Sequence, residues 1–276
     1  MLRIAVLYNI NATDGGSGTP AAVCARLREL GAEVVEVKID VLNLSGEAAD
    51  AIDATDLTVA VGGDGTIIHV AKRAASVGKA VLGVNCGRVG FLAGIEADQL
   101  SLLDRLVSGR FTYEDRMLLH IRVNGPDKDY TVMNEAVISR GSFSRMTEID
   151  VCCGSDAVTT YRADGIMVST PTGSTAYSLS AGGPVVDPSL SCMLLTPICA
   201  YSLSARPYIF GGNTTLDILP RTMRAPLYLT VDGEVRISLE ESDTLTVSRE
   251  VFVARLIHLR DASAFSILNS KMNNRR

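Results

Sequence analysis

Residues Val59–Arg73 read VAVGGDGTIIHVAKR. An apolar run ends in the pair Gly62-Gly63, crosses Asp64-Gly65, and passes at once into helical spacing. A buried strand that feeds a helix through a glycine turn is the local pattern of a parallel α/β sheet. Gly62, Gly63 and Gly65 remove Cβ atoms where the backbone turns. Main-chain N–H groups can then approach an anion, and the helix start adds partial positive charge. The spacing is not that of a Walker A loop, and Ile68 stands where G-x-G-x-x-G needs its third glycine. The carboxylate of Asp64 sits where a phosphate would repel it. From these residues alone two readings stand: a tight turn with Asp64 as helix N-cap, or a carboxylate placed for chemistry beside a bound phosphate. Lys72 and Arg73, further along the helix, either offset phosphate charge or are solvated.

Upstream and downstream of this stretch, strands and helices alternate. Leu2–Tyr8 reads as a strand. Thr19-Pro20 fits an N-cap followed by proline at the first helical position, with a helix over Ala21–Leu30 and Gly31 as its stop. Glu33–Val37 alternates like a strand, Gly46–Ala54 is a short helix, and Leu57–Val61 is a buried strand. A helix follows over Thr66–Val77, then the strand Ala80–Val84 and a helix over Ala97–Val107. The expected fold of residues 1–112 is therefore an α/β domain with an open parallel sheet, carrying the GGDGT loop. Three loops, Asp14–Pro20, Gly62–Gly65 and Gly83–Leu92, would ring one crevice at the strand ends, where open α/β sheets bind ligands.

The pattern changes near Gly109–Arg116. Short strand-like runs then dominate: Leu118–Val123, Tyr130–Ser139, Glu148–Cys152, Val158–Tyr161, Met193–Cys199, Thr214–Leu219, Pro226–Val231, Val235–Leu239, Thr244–Ser248 and Phe252–Leu256. Asp232-Gly233 marks a hairpin turn. Residues 113–258 are expected to form a β-rich domain, and 259–276 a helical segment with Phe265, Leu268 and Met272 near one face.

Bulk properties narrow the classes. The chain has 276 residues, 47% of them hydrophobic, and a net charge of −5. That length supports more than one core, and the charge gives no pull toward nucleic acid or an anionic membrane. No apolar run is long enough to span a bilayer, and the first residues do not read as a secretory signal; a cytoplasmic address is expected. The cysteines form no C-x-x-C pair, and the histidines are far apart, so free thiols are expected rather than a zinc site.

A second constellation lies in YRADGIMVSTPTGSTAYSLSAGGPVVDPSL, Tyr161–Leu190. It packs glycines and small hydroxyl residues around one aromatic, Tyr177. That mix suits a polar ligand with a flat ring, hydroxyls bonding ribose or amide groups and Tyr177 stacking. Serine-hydrolase chemistry is disfavoured, since Ser174 lies outside any G-x-S-x-G motif. Asn134-Glu135 interrupts an apolar strand. Adjacent strand residues face opposite ways, so one is expected to be buried and hydrogen-bonded.

In combination, GGDGT (Gly62–Thr66), Asn134-Glu135, DGIMVSTPTGSTAYSLSAGGP (Asp164–Pro184), GVNCGRVGFL (Gly83–Leu92) and Asp232–Glu234 resemble the NAD kinase (ATP–NAD kinase) family. The resemblance runs from about Val59 to Glu234. It implies an α/β N-terminal domain and a β-sandwich-like C-terminal domain with the active site between them. It implies a final helix that returns to the N-terminal domain, NAD and ATP as substrates, Mg²⁺ as the divalent cation, and a homodimer or homotetramer. By the same resemblance Asp64 is the catalytic acid-base acting on the adenosine 2′-hydroxyl of NAD. Gly63, Gly65 and Thr66 lie beside the nucleotide, and Phe91 lines its site. Asn134 holds the base and Glu135 ribose hydroxyls. Asp164, Thr175, Ala176, Tyr177 and Ser180 complete the pocket, and Arg162 bears on the choice of donor and acceptor.

This answers why an acid belongs in the loop. A hydroxyl is a poor nucleophile because it holds its proton, and a carboxylate in reach can accept it, which is worth roughly 10²–10⁴-fold. The roles of base, metal ligand and orienter stay open for Asp64. Two alternatives share parts of the pattern: a lipid kinase of the diacylglycerol or sphingosine type, which also carries GGDG, and a non-catalytic NADP(H)-binding sensor.

Overall fold

The computed structural model describes residues 1–9, 18–40, 44–86, 90–124, 129–141, 146–222 and 226–260. The expected C-terminal helix falls outside the described residues from 261 on. So do most of the glycine cluster at 14–18 and residues 87–89 of the third loop. The described chain forms two compact units, Met1–Asp115 joined by the chain from Phe252, and Arg116–Val251.

The first unit is built on parallel strands β1 (Arg3–Asn9), β2 (Glu33–Ile39), β3 (Leu57–Gly62) and β4 (Ala80–Asn85) in the order β2-β1-β3-β4. Helices α1 (Thr19–Glu29), α2 (Glu47–Ala54), α3 (Asp64–Ala75) and α4 (Leu103–Val107) alternate with them. β3 and β4 are buried at every residue, the pattern of strands covered on both faces. On one face Val23, Cys24 and Leu27 of α1 and Leu103 and Leu106 of α4 share a core with Ile4, Val59 and Leu82. On the other, Ile67 of α3 lies so close to Gly83 that a Cβ there would sit 2.7 Å from its Cδ1. A short strand β5 (Ile95–Glu96) pairs with β4 at Val84 and Asn85. Ahead of α4, the expected single helix begins as a 3₁₀ segment, Ala97–Leu102.

The second unit is entered along β6 (Thr112–Val123) and contains β7 (Asp129–Val132), β8 (Glu135–Arg140), β9 (Thr147–Cys153), β10 (Asp156–Ala163), β11 (Gly165–Ser169), a 3₁₀ turn Thr172–Thr175 and the short helix α5 (Tyr177–Ser180). It continues with β12 (Cys192–Ile198), β13 (Tyr208–Gly211), β14 (Leu216–Thr222), β15 (Leu227–Val231), β16 (Val235–Leu239) and β17 (Leu245–His258). One antiparallel sheet runs β13-β12-β11-β8-β15-β16. A second contains β10, β9, β14 and the first half of β17, with β6 and β7. Ala136, Ile138, Ile166 and Val168 of the first sheet share one core with Leu119, Ile121, Ile149, Val151 and Ile218 of the second. Two sheets closed over one apolar layer make a sandwich, the β-rich C-terminal fold the resemblance implied.

Strands β5 and β13 stand where none was expected, and two strand readings change. Thr244–Ser248 and Phe252–Leu256 are one strand, β17, because nothing between them turns the chain. Its distal half returns to the first unit, where Arg255 and Leu256 pair in parallel with Ala80 and Val81 of β4. Conversely, the run Tyr130–Ser139 is broken at Met133-Asn134 into β7 and β8. The break is the centre of the site described next.

Candidate active site

In the first unit β3 ends at Gly62, and Gly63 precedes α3 with extended backbone and no side-chain cap. The first N–H groups of a helix lack partners in their own helix, so this end is open to an anion. Gly62 is required: a Cβ there would lie 2.6 Å from Thr66 Oγ1. Asp64 is not the N-cap. It is the first helical residue, and its carboxylate reaches across to the third loop. It accepts the N–H of Phe91 at 2.7 Å and the N–H of Leu92 at 3.1 Å. Gly90 makes this approach possible, since a Cβ there would fall 2.9 Å from Asp64 Cγ and nearer still to Oδ1. A carboxylate offers about four lone-pair sites; two are engaged, so Asp64 is aimed and still able to accept. Gly63 and Gly65 are exposed, Asp64 and Phe91 half-buried, and Thr66 buried.

Lys72 and Arg73 lie in the last turn of α3, about 12 Å along the axis from Asp64. Arg73 Nη2 donates to both carboxylate oxygens of Asp53, at 2.6 and 2.8 Å. The reading of Arg73 as a phosphate partner is therefore not carried by the geometry.

In the second unit Asn134 sits in the break between β7 and β8, and every main-chain group of the break is taken up by side chains or backbone from two other motifs. The Asp232 carboxylate accepts the N–H groups of Met133 (3.1 Å) and Asn134 (2.7 Å). Thr170 Oγ1 donates to Met133 O at 2.6 Å, and the Thr170 N–H donates to Asn134 O at 2.9 Å. The chain thus leaves the sheet without orphaning backbone polar groups, and the Asn134 side chain is half-buried. Asp232 and Gly233 hold φ of 48° and 80°, and Glu234 N–H donates to Val231 O. This is the left-handed turn that a tight hairpin demands. Gly173 N–H donates to Thr170 Oγ1 at 3.1 Å, and a Cβ on Gly173 would lie 2.8 Å from Asn134 Cα. Asn134-Glu135, the hydroxyl-rich stretch and Asp232-Gly233 are therefore one assembly.

Glu135 opens β8 at 6% exposure. Burial, and next the field of Asp232, push its carboxyl up to about 7, while the backbone N–H of Tyr177 acts in the opposite sense. The expectation that the buried member of Asn134-Glu135 is fully hydrogen-bonded fails in one respect: Glu135 Oε2 has no partner among the described residues.

The stretch after β11 lies over the same sheet face. Ala181 packs on Val137, Met167 and Ile198, and Ser178 Oγ bonds Thr196 Oγ1 at 3.2 Å. This leaves Tyr177, 45% exposed, and Ser180 on the outside of α5. Thr175 and Ala176 are half-buried, tied back by Thr175 Oγ1 to Thr172 O and Ala176 N–H to Gly173 O. Asp164 is clamped by Arg140 at 2.9 Å to Nε and 2.8 Å to Nη2. Arg162 is exposed, with its guanidinium 5.2 Å above the Tyr201 ring. It lines a cavity of about 170 Å³ with Thr160, Arg206 and Tyr208, apart from the Asn134 assembly. Sequence reasoning read Asp232 as a turn residue and Thr170 as one of a hydroxyl-rich stretch and did not single out Arg140; that each holds another site residue is revealed only by the spatial partners.

A glycine turn at an open helix start with an aimed carboxylate in one unit, and a polar assembly with an amide, a carboxyl and an exposed aromatic ring in the other, are features of the kind a nucleotide-dependent phosphotransferase uses. Residues 7–111 match the ATP-NAD kinase N-terminal domain family and residues 133–259 the ATP-NAD kinase C-terminal domain family. The chain is 41% identical over 230 residues to an NAD kinase of Moorella thermoacetica, covering 82% of this chain and 74% of that one. It is 40% identical over 235 residues to one of Symbiobacterium thermophilum, covering 84% and 83%. A crystal structure of an NAD kinase from Archaeoglobus fulgidus in complex with ATP matches with a TM-score of 0.80 at 25% identity over 99% of both chains. The chain belongs to the ATP–NAD kinase family.

Proposed function

We propose that this chain transfers the γ-phosphoryl group of ATP to the adenosine 2′-hydroxyl of NAD, giving ADP and NADP. The observation that carries the reading is the Asp64 carboxylate, aimed by the Phe91 and Leu92 N–H groups at the uncapped start of α3. A carboxylate held this way accepts the proton of the attacking hydroxyl as the new O–P bond forms, and the leaving ADP oxygen takes over the electron pair of the bond that breaks. The exposed turn at Gly63 and Gly65 gives the nucleotide a backbone surface without Cβ atoms. Asn134 and Glu135 bind the adenosine base and ribose, Tyr177 stacks, and Asp164, Thr175, Ala176 and Ser180 close the pocket. Arg162 bears on donor and acceptor choice, although its cavity lies apart from the Asn134 assembly.

The donor set suits a cation that arrives on the ATP phosphates. Among the described residues no three His, Cys, Asp or Glu side chains converge as a metal cage, and Mg²⁺ is commonly held by one or two carboxylates plus substrate phosphates. Asp64, with acceptor capacity to spare, is the residue that would touch it. When bound, Mg²⁺ supplies neutralisation of phosphate charge.

The reading extends to a cytoplasmic homodimer or homotetramer. Exposed Tyr201, Leu203, Tyr208 and Ile209 offer apolar surface for a second copy, and no described helix is long and apolar enough to cross a membrane. Incubating the purified protein with NAD, ATP and Mg²⁺ and assaying NADP tests the activity; no NADP at saturating substrates would overturn it. Light scattering on the same sample reads the assembly state.

A further inference from the structure

β8 and β11 pair antiparallel with Glu135 directly opposite Ser169. Residues opposite each other project from the same face with Cβ atoms about 4.5–5.5 Å apart. That face is the one covered by the hydroxyl-rich stretch, since Val137 and Met167, two residues along each strand, pack under Ala181. Ser169 is completely buried. Its hydroxyl and Glu135 Oε2 are both shut from solvent, and neither has a hydrogen-bond partner among the described residues. A buried polar group without a partner forfeits the hydrogen bonds it makes to water, and here two stand across one strand pair. At that Cβ separation a serine hydroxyl and a glutamate carboxyl come within hydrogen-bond reach by side-chain torsions.

We propose that Ser169 is a positioning residue for Glu135: its hydroxyl donates to Oε2 when Glu135 is ionised, accepts from Oε2–H when it is neutral, and so sets the orientation and charge state in which Glu135 meets the ribose. The ionised arrangement is the stronger, because a hydrogen bond to a charged acceptor exceeds one between neutral groups. Ser169 therefore favours the carboxylate. It works against two forces in the opposite sense, burial and the field of Asp232 from the β15–β16 turn, and alongside the Tyr177 N–H at the start of α5. The inference rests on the dinucleotide-binding reading of the Asn134 assembly.

The test is the pH profile of kcat/KM for NAD, which reports ionisations of the free enzyme, together with a ¹³C titration of the Glu135 carboxyl in the full-length protein without substrate. Both are run on the wild type, Ser169→Ala and Glu135→Gln. Burial, Asp232 and the Tyr177 N–H by themselves put the carboxyl at about 7, without a bond from Ser169, so in the wild type kcat/KM is expected to rise with pH through a midpoint below 7. In Ser169→Ala both that midpoint and the carboxyl titration move upward by about one pH unit, and in Glu135→Gln the midpoint is absent. A purely structural Ser169 would lower thermal stability and leave both midpoints in place, which overturns the proposal. If no variant, wild type included, makes NADP, the kinase reading fails, and the ¹³C titration still decides the role of Ser169.

Discussion

Gly90 lies against Asp64 with no room for a side chain between them: a Cβ would stand 2.9 Å from the carboxylate carbon and closer to one oxygen. The same loop then donates the N–H groups of Phe91 and Leu92 to that carboxylate. Gly90→Ala must push the two apart. A displacement of about 1 Å at a reacting group can cost 10²-fold, so kcat is expected to fall by about two orders of magnitude. NAD affinity, read by calorimetry, should change far less, because the role proposed for Asp64 lies in the chemical step. Wild-type turnover in this variant would show that the carboxylate does not need its place.

Asp64→Asn keeps the shape and removes the charge. Turnover should drop by roughly 10²–10⁴-fold, the range of general-base assistance, with NAD binding nearly intact. Single-turnover measurement at saturating NAD and ATP separates this from weakened binding. Retained turnover would remove Asp64 from the mechanism.

Gly173→Ala forces a methyl group into the main chain of Asn134, which lies 2.8 Å away at Cα. The neighbour is backbone held on both sides by Asp232 and Thr170, so it cannot give cheaply. The expected cost is about 1–3 kcal/mol of stability, as for overpacking elsewhere, with a raised KM for NAD. Urea denaturation reads the first and steady-state kinetics the second. A variant as stable as wild type with unchanged KM would mean the assembly is not rigid.

Tyr177 is the exposed aromatic of α5, 45% exposed. Its loss should touch binding and spare stability. Tyr177→Ala is expected to weaken NAD binding by about 3–10-fold, matching an aromatic pair worth about 0.5–1.5 kcal/mol. Unchanged affinity by calorimetry would refute the stacked pose.

Glu135 gives a stability signature without substrate. Its folded carboxyl is raised to about 7 from an ordinary 4.5. Between those values the folded state holds a proton that the unfolded chain has released. Stability from this group is therefore full below about 4.5, declines as pH rises toward 7, and is flat above it. Glu135→Gln abolishes the decline. Relative to wild type the variant should gain about 2–3 kcal/mol between pH 5 and pH 8. Denaturant midpoints at the two pH values measure it, and a constant difference would contradict the raised carboxyl.

Much of this molecule was legible in the residue order. The apolar runs at Leu57 and Ala80, each followed by glycine and a helical period, could be little else than buried parallel strands feeding helices. The turn at Asp232-Gly233 was equally readable, because two successive left-handed residues favour that pair. The break at Met133-Asn134 was not. Its backbone groups bond to a carboxylate 98 positions away and a hydroxyl 37 positions away, so the local apolar pattern reads straight through it. The double length of β17 escaped for the same reason, since its two halves have different partners, β14 and β4.

By itself, the sequence determined most of the strands, where glycine turns open onto helix starts, and that GGDGT, Asn134-Glu135 and the hydroxyl-rich stretch belong together in one family. Those are local or combinatorial facts, carried by side-chain period, by missing Cβ atoms and by motif order. Tertiary structure alone decided what each motif does to the others: that Asp64 is aimed by the Phe91 loop, that Asp232 and Thr170 hold Asn134 out of its strand, that Arg73 belongs to Asp53. Hydrogen bonds and exclusion contacts act over a few ångströms of space and take no account of distance along the chain, so they exist only once the chain has folded.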